Sequence, residues 1–224
     1  MIPQNTTINT SNIIVNENHD KLINITNLNP RIVFKPYYYI ENIPGATNKC
    51  FVRESVYKML EKALIFLPEG YGFKIYDAWR PFAVQEFLYN TQVENLQKMK
   101  GLSLQKAKEE AKQFVSFPSK NVLEPFVHST GGAVDLTVIN QNAEELNMGT
   151  AFDDFTSLSN TDSFEQSENL EVKNNRRLLY NAMINVGFTN YPSEWWHYDY
   201  GNNFWAAVNG HKTSIFGGVY SITE

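Results

Sequence analysis

The chain of 224 residues contains a single cysteine, Cys50. That excludes an internal disulfide and any metal site built from several thiolates, and it suits a reducing compartment. No apolar run approaches the roughly 18–20 residues needed to cross a bilayer, so no membrane span is expected. The opening stretch, residues 1–29, is polar and Asn-rich, with neither a basic start nor an apolar segment behind it. No signal peptide is visible there, and a cytoplasmic protein is expected. Long Lys/Arg runs are missing as well. With 19 basic against 24 acidic side chains and a net charge of −5, the chain lacks the clustered basic face that nucleic-acid binding requires. Internal repeats and low-complexity linkers are also absent, so nothing marks a boundary between domains, and nothing fixes an oligomeric state. What is present, 42% hydrophobic and 14% aromatic content, is enough for one substantial core.

One interval lacks basic residues altogether. From Asn121 to Val172 there is no Lys or Arg, while acids run from Glu124 through Asp135, Glu145 and Asp153 to Glu171. Such a block reads either as a solvated acidic loop or as a field that attracts a metal cation or an ammonium-bearing substrate.

The hydrophobic spacing gives an order of elements. Val56, Met59, Leu60 and Ala63 recur at helical intervals from Glu54 to Phe66, and Pro68 stops the helix. Tyr71 to Trp79 alternates as a strand. Pro81 suits the first turn of a helix running to about Met99, and Ser103 is an N-cap for a third helix to Val115. Gly132 to Ile139 is β-branched and apolar, a core strand. Glu171 to Val186 repeats Leu178, Leu179, Ala182 and Met183 helically, with Gly187 as terminator. Trp195 to Tyr200 is aromatic and strand-like. The expectation is a single α+β domain, with helices packed on a largely antiparallel sheet and residues 1–29 as an arm or edge segment.

Two of the four histidines sit in unusual company. His128 opens His128-Ser129-Thr130-Gly131-Gly132-Ala133-Val134-Asp135, and His197 closes Glu194-Trp195-Trp196-His197. Two imidazoles and a carboxylate suit zinc and leave a fourth position for water. A carboxylate kept off the metal can then take that water's proton. His128 and Asp135 fall on opposite faces of an unbroken strand, so they converge only if the chain turns between them. Gly131-Gly132 permits it, because glycine accepts positive φ and puts no side chain in the metal's way. Glu194 and His197 suit a tight turn rather than a straight strand, and Pro192-Ser193 favours a turn feeding a strand. His19 and His211 read as ordinary surface or structural histidines, and Trp195 and Trp196 as packing walls. Arg80, in Tyr76-Asp77-Ala78-Trp79-Arg80-Pro81, stands at a strand-to-helix junction. It is either a surface residue or a planar donor aimed at an oxyanion beside the metal, with Asp77 as its orienting partner or a turn residue.

Taken together these segments resemble the zinc D-alanyl-D-alanine dipeptidases of the vancomycin-resistance type, within the wider D,D-peptidase group related to the hedgehog signalling domain. The pieces run in order: Tyr37-x4-Asn42, Asp77-Ala78-Trp79-Arg80-Pro81, His128-x2-Gly131-x-Ala133-x-Asp135, Met148-Gly149-Thr150-x-Phe152-Asp153 and Glu194-Trp195-Trp196-His197-Tyr198. The Met148 to Asp153 segment points to the dipeptidase branch. The resemblance implies a hedgehog-like D,D-peptidase fold in residues 30–224, one zinc held by His128, Asp135 and His197, and a small dipeptide as substrate. It implies Glu194 as general base and then general acid, Arg80 as oxyanion stabiliser, and Asp153, helped by Tyr37 or a neighbouring tyrosine, as holder of the substrate ammonium. The family usually carries a serine two residues before the first histidine ligand; here Phe126 stands in that place, with Ser129 and Thr130 as candidates to compensate. Other readings are a cell-wall carboxypeptidase or endopeptidase, a zinc-stabilised binding domain without catalysis, and an aromatic carbohydrate-binding module.

Overall fold

The structure, a computed structural model, describes residues 1–3 and 8–222. Residues 4–7 of the expected arm and the last two of the chain lie outside the described residues. The strands are β1 (Ile14–Val15), β2 (Leu22–Asn24), β3 (Ile32–Phe34), β4 (Phe51–Arg53), β5 (Gly72–Asp77), β6 (Ala133–Ile139), β7 (Thr189–Asn190), β8 (His197–Asp199) and β9 (Thr213–Ser214). The helices are α1 (Tyr37–Ile40), α2 (Glu54–Ala63), α3 (Phe82–Lys100), α4 (Leu104–Ala111), α5 (Leu170–Ile184) and α6 (Asn203–Val208). The main sheet has five strands in the order β3-β5-β6-β8-β7, antiparallel except for the β3–β5 pair. Two small pairs flank it, β1 with β9 and β2 with β4. The architecture is therefore α+β, with mixed pairing in one principal sheet.

β6 is the central strand, and all of its residues are buried. Its alternation sorts them by face. Val134, Leu136 and Val138 join Phe73 and Ile75 of β5 and Tyr198 of β8 in the main core, where Val56, Leu60 and Ala63 of α2 and Leu179, Ala182 and Met183 of α5 cover them. Ala133, Asp135 and Thr137 have the opposite parity and look away from that core. The same parity sets His197 and Asp199 apart from Tyr198 on β8. One face of the sheet thus buries apolar surface, and the other is free to carry polar chemistry.

Between β5 and β6 the chain leaves the sheet to build the α3–α4 hairpin. Tyr89, Val93 and Leu96 of α3 meet Ala107 and Ala111 of α4 in a second, smaller apolar cluster. Ser103 caps α4 as its sequence position suggests, accepting from the Lys106 N–H. Several elements are shorter than their patterns suggest. The α2 helix gives way to a 3-10 turn at Leu64–Phe66, and Pro81 is the N-cap of α3 rather than its first residue. The strand-like run from Trp195 pairs only from His197, because Trp195 and Trp196 belong to a turn closed by the His197 N–H on Glu194 O.

Candidate active site

A single row of side chains crosses three neighbouring strands. Asp77 pairs with Asp135 across β5 and β6, and Asp135 with His197 across β6 and β8. Directly opposed residues hold their Cβ atoms about 4.5–5.5 Å apart, so register alone gathers two acids and an imidazole. Asp77 joins the row through a β-bulge. Ile75 faces Leu136, yet Asp77, two residues on, faces Asp135, so Tyr76 is the extra residue. In regular register Asp77 would fall on the core face; the bulge turns it to the site.

His128 arrives from outside the sheet, on a 3-10 turn over Val127–Thr130 that ends at Gly131 with φ 71°. Gly131 supplies the left-handed backbone expected of it. Gly132 acts differently: a Cβ there would stand 2.2 Å from Tyr200 O, a backbone atom. That glycine exists to let β6 lie close beside the chain after β8, and neither glycine clears space at the metal.

The three expected ligands converge. One ligand atom from each of His128, Asp135 and His197 lies within 4.8 Å of the others, all buried. His128 Nε2 is 3.4 Å from Asp135 Oδ2, and His197 Nδ1 is 2.8 Å from Asp135 Oδ1. His128 Nδ1 lies 2.8 Å from Ala78 O. A carbonyl only accepts, so the proton sits on Nδ1 and Nε2 keeps its lone pair for a cation. Burial, with Arg80 nearby, pushes the His128 pKa down to about 3, so the ring is a neutral donor at any ordinary pH. His197 is bracketed by acids, with Nε2 3.0 Å from Asp199 Oδ2. Burial opposes its charge, but Asp199 and Asp135 outweigh burial and hold its pKa well above the usual imidazole value. Asp199, 1% exposed and bonded also to Asn202 Nδ2, was missed at the sequence level. Its signal was present: residues two apart on a strand share a face.

Glu194 stands beside this cluster and outside it, its Oε2 3.9 Å from His197 Nδ1. Burial, and the Asp135 and Asp153 charges, raise its pKa to about 8 against the pull of His197 and Arg80. Arg80 is 8% exposed. Its Nε donates to Asp77 Oδ2 at 2.8 Å and its Nη1 to Gln85 Oε1 at 2.7 Å, while Nη2 lies 3.6 Å from Asp135 Oδ2. Asp77 therefore orients Arg80, one of the two roles open to it. Asp153 sits at φ 59° on a loop wedged by Phe152, whose ring stacks on Tyr76 at 4.7 Å. Burial and Asp135 raise the Asp153 pKa to about 7. The hydroxyl that reaches it belongs to Tyr38, at 3.0 Å; Tyr37 packs edge-on against Phe152 instead, at 4.9 Å. Ser129 and Thr130 are fully buried, their hydroxyls donating to Phe126 O and Val127 O. They are spent on the turn that carries His128.

These groups line the floor of a cleft of about 990 Å³. Its walls are the end of the α3–α4 hairpin with the following segment (Phe114, Phe117, Phe126), the Pro192–Glu194 turn, and Ile8 and Thr10 of the arm. The lining mixes aromatic and aliphatic side chains with a larger number of polar and charged ones, and the charged groups gather on the floor.

The chain is similar to known proteins over most of its length. The model of a family described as D-ala-D-ala dipeptidase matches residues 29–213. A D-alanyl-D-alanine dipeptidase of Synechocystis sp. is 29% identical over 176 residues, covering 69% of this chain and 71% of its own. One from Enterococcus faecium is 34% identical over 166 residues, covering 72% and 75%. Among solved structures, VanYB in complex with D-alanine-D-alanine aligns over 74% of this chain and 81% of its own, at 17% identity and a TM-score of 0.45.

Proposed function

The chain belongs to the D-Ala-D-Ala dipeptidase family, a family of metallopeptidases, and from that premise we propose that it is a cytoplasmic zinc dipeptidase cleaving D-alanyl-D-alanine or a close D,D-dipeptide to free amino acids. Residues 30–224 are read as the catalytic domain and residues 1–29 as an arm along its edge. The observation that carries the proposal is the convergence of His128, Asp135 and His197 within 4.8 Å, with a fourth acid, Glu194, beside them but outside the set.

His128 through Nε2, Asp135, and His197 through Nδ1 would hold one zinc ion; a neutral imidazole, a carboxylate and an imidazole locked by Asp199 are a donor set that zinc accepts. When bound, zinc supplies Lewis-acid polarisation and lowers the pKa of a bound water to about 7. The protein's own groups do the rest. Glu194 takes a proton from the attacking water and passes it to the leaving amine, a carboxylate whose buried site makes it basic enough for both transfers. Arg80 directs its Nη2 edge to the developing oxyanion. Asp153, ionised and accepting the Tyr38 hydroxyl, receives the substrate ammonium.

The test couples metal analysis to dipeptide hydrolysis in wild type and Glu194→Ala. One zinc per chain is expected in both, with turnover of the variant lowered about 10²–10⁴-fold. Loss of zinc from Glu194→Ala would make Glu194 a ligand and sink its role as base. Stoichiometric zinc with no hydrolysis of any D,D-dipeptide would favour a binding domain. A second enzymatic reading has one observation behind it: the cleft, at about 990 Å³, is at the upper end of pockets that enclose drug-sized ligands, far more than a dipeptide fills. Faster cleavage of an N-blocked pentapeptide than of the free dipeptide would move the assignment to a cell-wall carboxypeptidase.

A further inference from the structure

Gln85 is out of character for its position. It heads the buried stripe of α3 that continues through Tyr89, Val93 and Leu96 toward the second apolar cluster, and it is 1% exposed. A buried primary amide is costly unless both of its ends are bonded. Both are. Its Oε1 accepts from Arg80 Nη1 at 2.7 Å, and its Nε2 donates to Ser116 O at 2.6 Å.

The Arg80 guanidinium is thereby held on two sides. Nε is taken by Asp77 and Nη1 by Gln85, and the plane lies over the Tyr38 ring with Cζ 5.1 Å from its centroid. Nη2 has only long contacts, 3.4 Å to the Tyr38 hydroxyl and 3.6 Å to Asp135 Oδ2. The donor capacity that remains is therefore on the edge turned to His128, Asp135 and His197. A guanidinium is rigid and planar, so fixing Nε and Nη1 fixes the direction of Nη2.

We propose that Gln85 is the positioning residue of this site: it aims the free edge of Arg80 at the reacting carbonyl, and through Ser116 O it ties that aim to the cleft wall that follows α4. The proposal rests on Arg80 acting as the oxyanion donor. The chemistry of the amide explains why this position holds Gln and not Glu. Asp77 and, at longer range, Asp135 already face the single charge of Arg80; a further carboxylate at this position would quench the field meant for the oxyanion and would face Ser116 O with no proton to give. Glutamine accepts from the arginine without neutralising it and donates to the wall with its other end.

The test uses the zinc-loaded full chain with Gln85→Leu, Gln85→Glu and Arg80→Ala, singly and combined. It reads kcat and KM for free D-alanyl-D-alanine, inhibition by a phosphinate dipeptide analogue that mimics the tetrahedral oxyanion, zinc content and Tm. Both Gln85 variants are expected to keep zinc and to leave KM within about twofold. They should lower kcat about 10–100-fold, the cost of misplacing a catalytic group by about 1 Å. Phosphinate affinity should fall in step with kcat/KM. Because Gln85 acts through Arg80, its substitutions should add little in the Arg80→Ala background. Gln85→Glu has nearly the native shape and keeps the test open should Gln85→Leu fail to fold. Unchanged kcat and phosphinate affinity in Gln85→Glu, with Arg80→Ala crippled, would overturn the proposal alone. Undiminished losses on top of Arg80→Ala would do the same. Full kcat in Arg80→Ala would instead overturn the oxyanion reading, and this inference with it.

Discussion

Asp153, Glu194 and His197 bind protons more tightly in the folded chain than in an unfolded one, as does Asp77, which burial raises to about 6. Asp153 is raised to about 7 and Glu194 to about 8, both chiefly by burial, while His197 is held well above its usual value by Asp199 and Asp135 against the effect of burial. Unfolded carboxylates release their protons near pH ~4 and an unfolded imidazole near ~6.5. Above about pH 6.5 the folded metal-free protein gives up protons that an unfolded chain has already released, from Asp153 near 7, Glu194 near 8 and His197 higher still, so its stability must fall as pH rises to about 9. His128 and Asp135, both shifted down, act in the opposite sense but on the acid side of this window. A zinc ion displaces the His197 Nδ1 proton and favours the ionised acids, so its stabilising effect should grow over the same interval. Melting temperatures with chelator and with zinc, from pH 6.5 to 9, check both statements; a metal-free Tm that rises with pH contradicts the assignment. At this scale much was legible. His128, Asp135, Glu194 and His197 are chemically distinctive and close in sequence to their markers. Gln85 was not singled out, and Tyr38 only as one of three neighbouring tyrosines, because their partners lie on other elements and neither residue type carries a pattern of its own; Asp199 was missed although its partner His197 is two residues away on the same strand.

Elements decide whether those residues meet. The β6–β8 register that sets Asp135 against His197 depends on how closely β6 approaches Tyr200, and Gly132 is where the backbones nearly touch. Gly132→Ala would bring a Cβ to 2.2 Å of Tyr200 O, and a carbonyl of the main chain cannot rotate away. The expected cost is about 1–3 kcal/mol of stability together with weaker zinc binding, measured by denaturant unfolding and chelator competition. In Gly131→Ala the nearest atom is a movable methyl, Leu22 Cδ1, so its penalty should come mainly from the φ of 71°. Equal zinc affinity in wild type and Gly132→Ala would show that the register tolerates the shift. Helix spacing predicted α2 and α5, and the start signals Pro81 and Ser103 predicted α3 and α4, all within a few residues, since an amphipathic stripe and a cap are local properties. The bulge at Tyr76 was not predictable. A bulge is a compromise between two strands, and only one of them is visible in any stretch of sequence.

At the scale of the whole molecule, Arg53 joins what the chain order separates. It is 4% exposed. It donates to Thr130 O on the His128 turn, to Asp20 O and the Glu17 carboxylate near the N-terminus, and to Gly217 O near the C-terminus. Arg53→Ala strips donors from three segments at once, and breaking a buried pair of this kind costs about 3–5 kcal/mol. The lower end is expected, because Glu17 is partly exposed. A Tm shift confined to a degree or two would mean that the segments hold together without it. The acidic interval from Asn121 to Val172 disperses in three dimensions. Asp135 and Asp153 enter the site, Glu145 binds Lys74 and the Tyr76 hydroxyl, and Glu165 forms a bidentate pair with Arg177. Among the described residues no helix is long and apolar enough to cross a membrane.

By itself the sequence determined the donor types, the amphipathic faces, and the family that both imply, because residue chemistry and hydrophobic period are local and additive. Tertiary structure alone decided which tyrosine meets Asp153, what Gly132 is for, and which main-chain oxygen anchors the Gln85 that holds Arg80. Each of those is settled by a contact between segments tens of residues apart, where register and sheet parity, not composition, choose the partner.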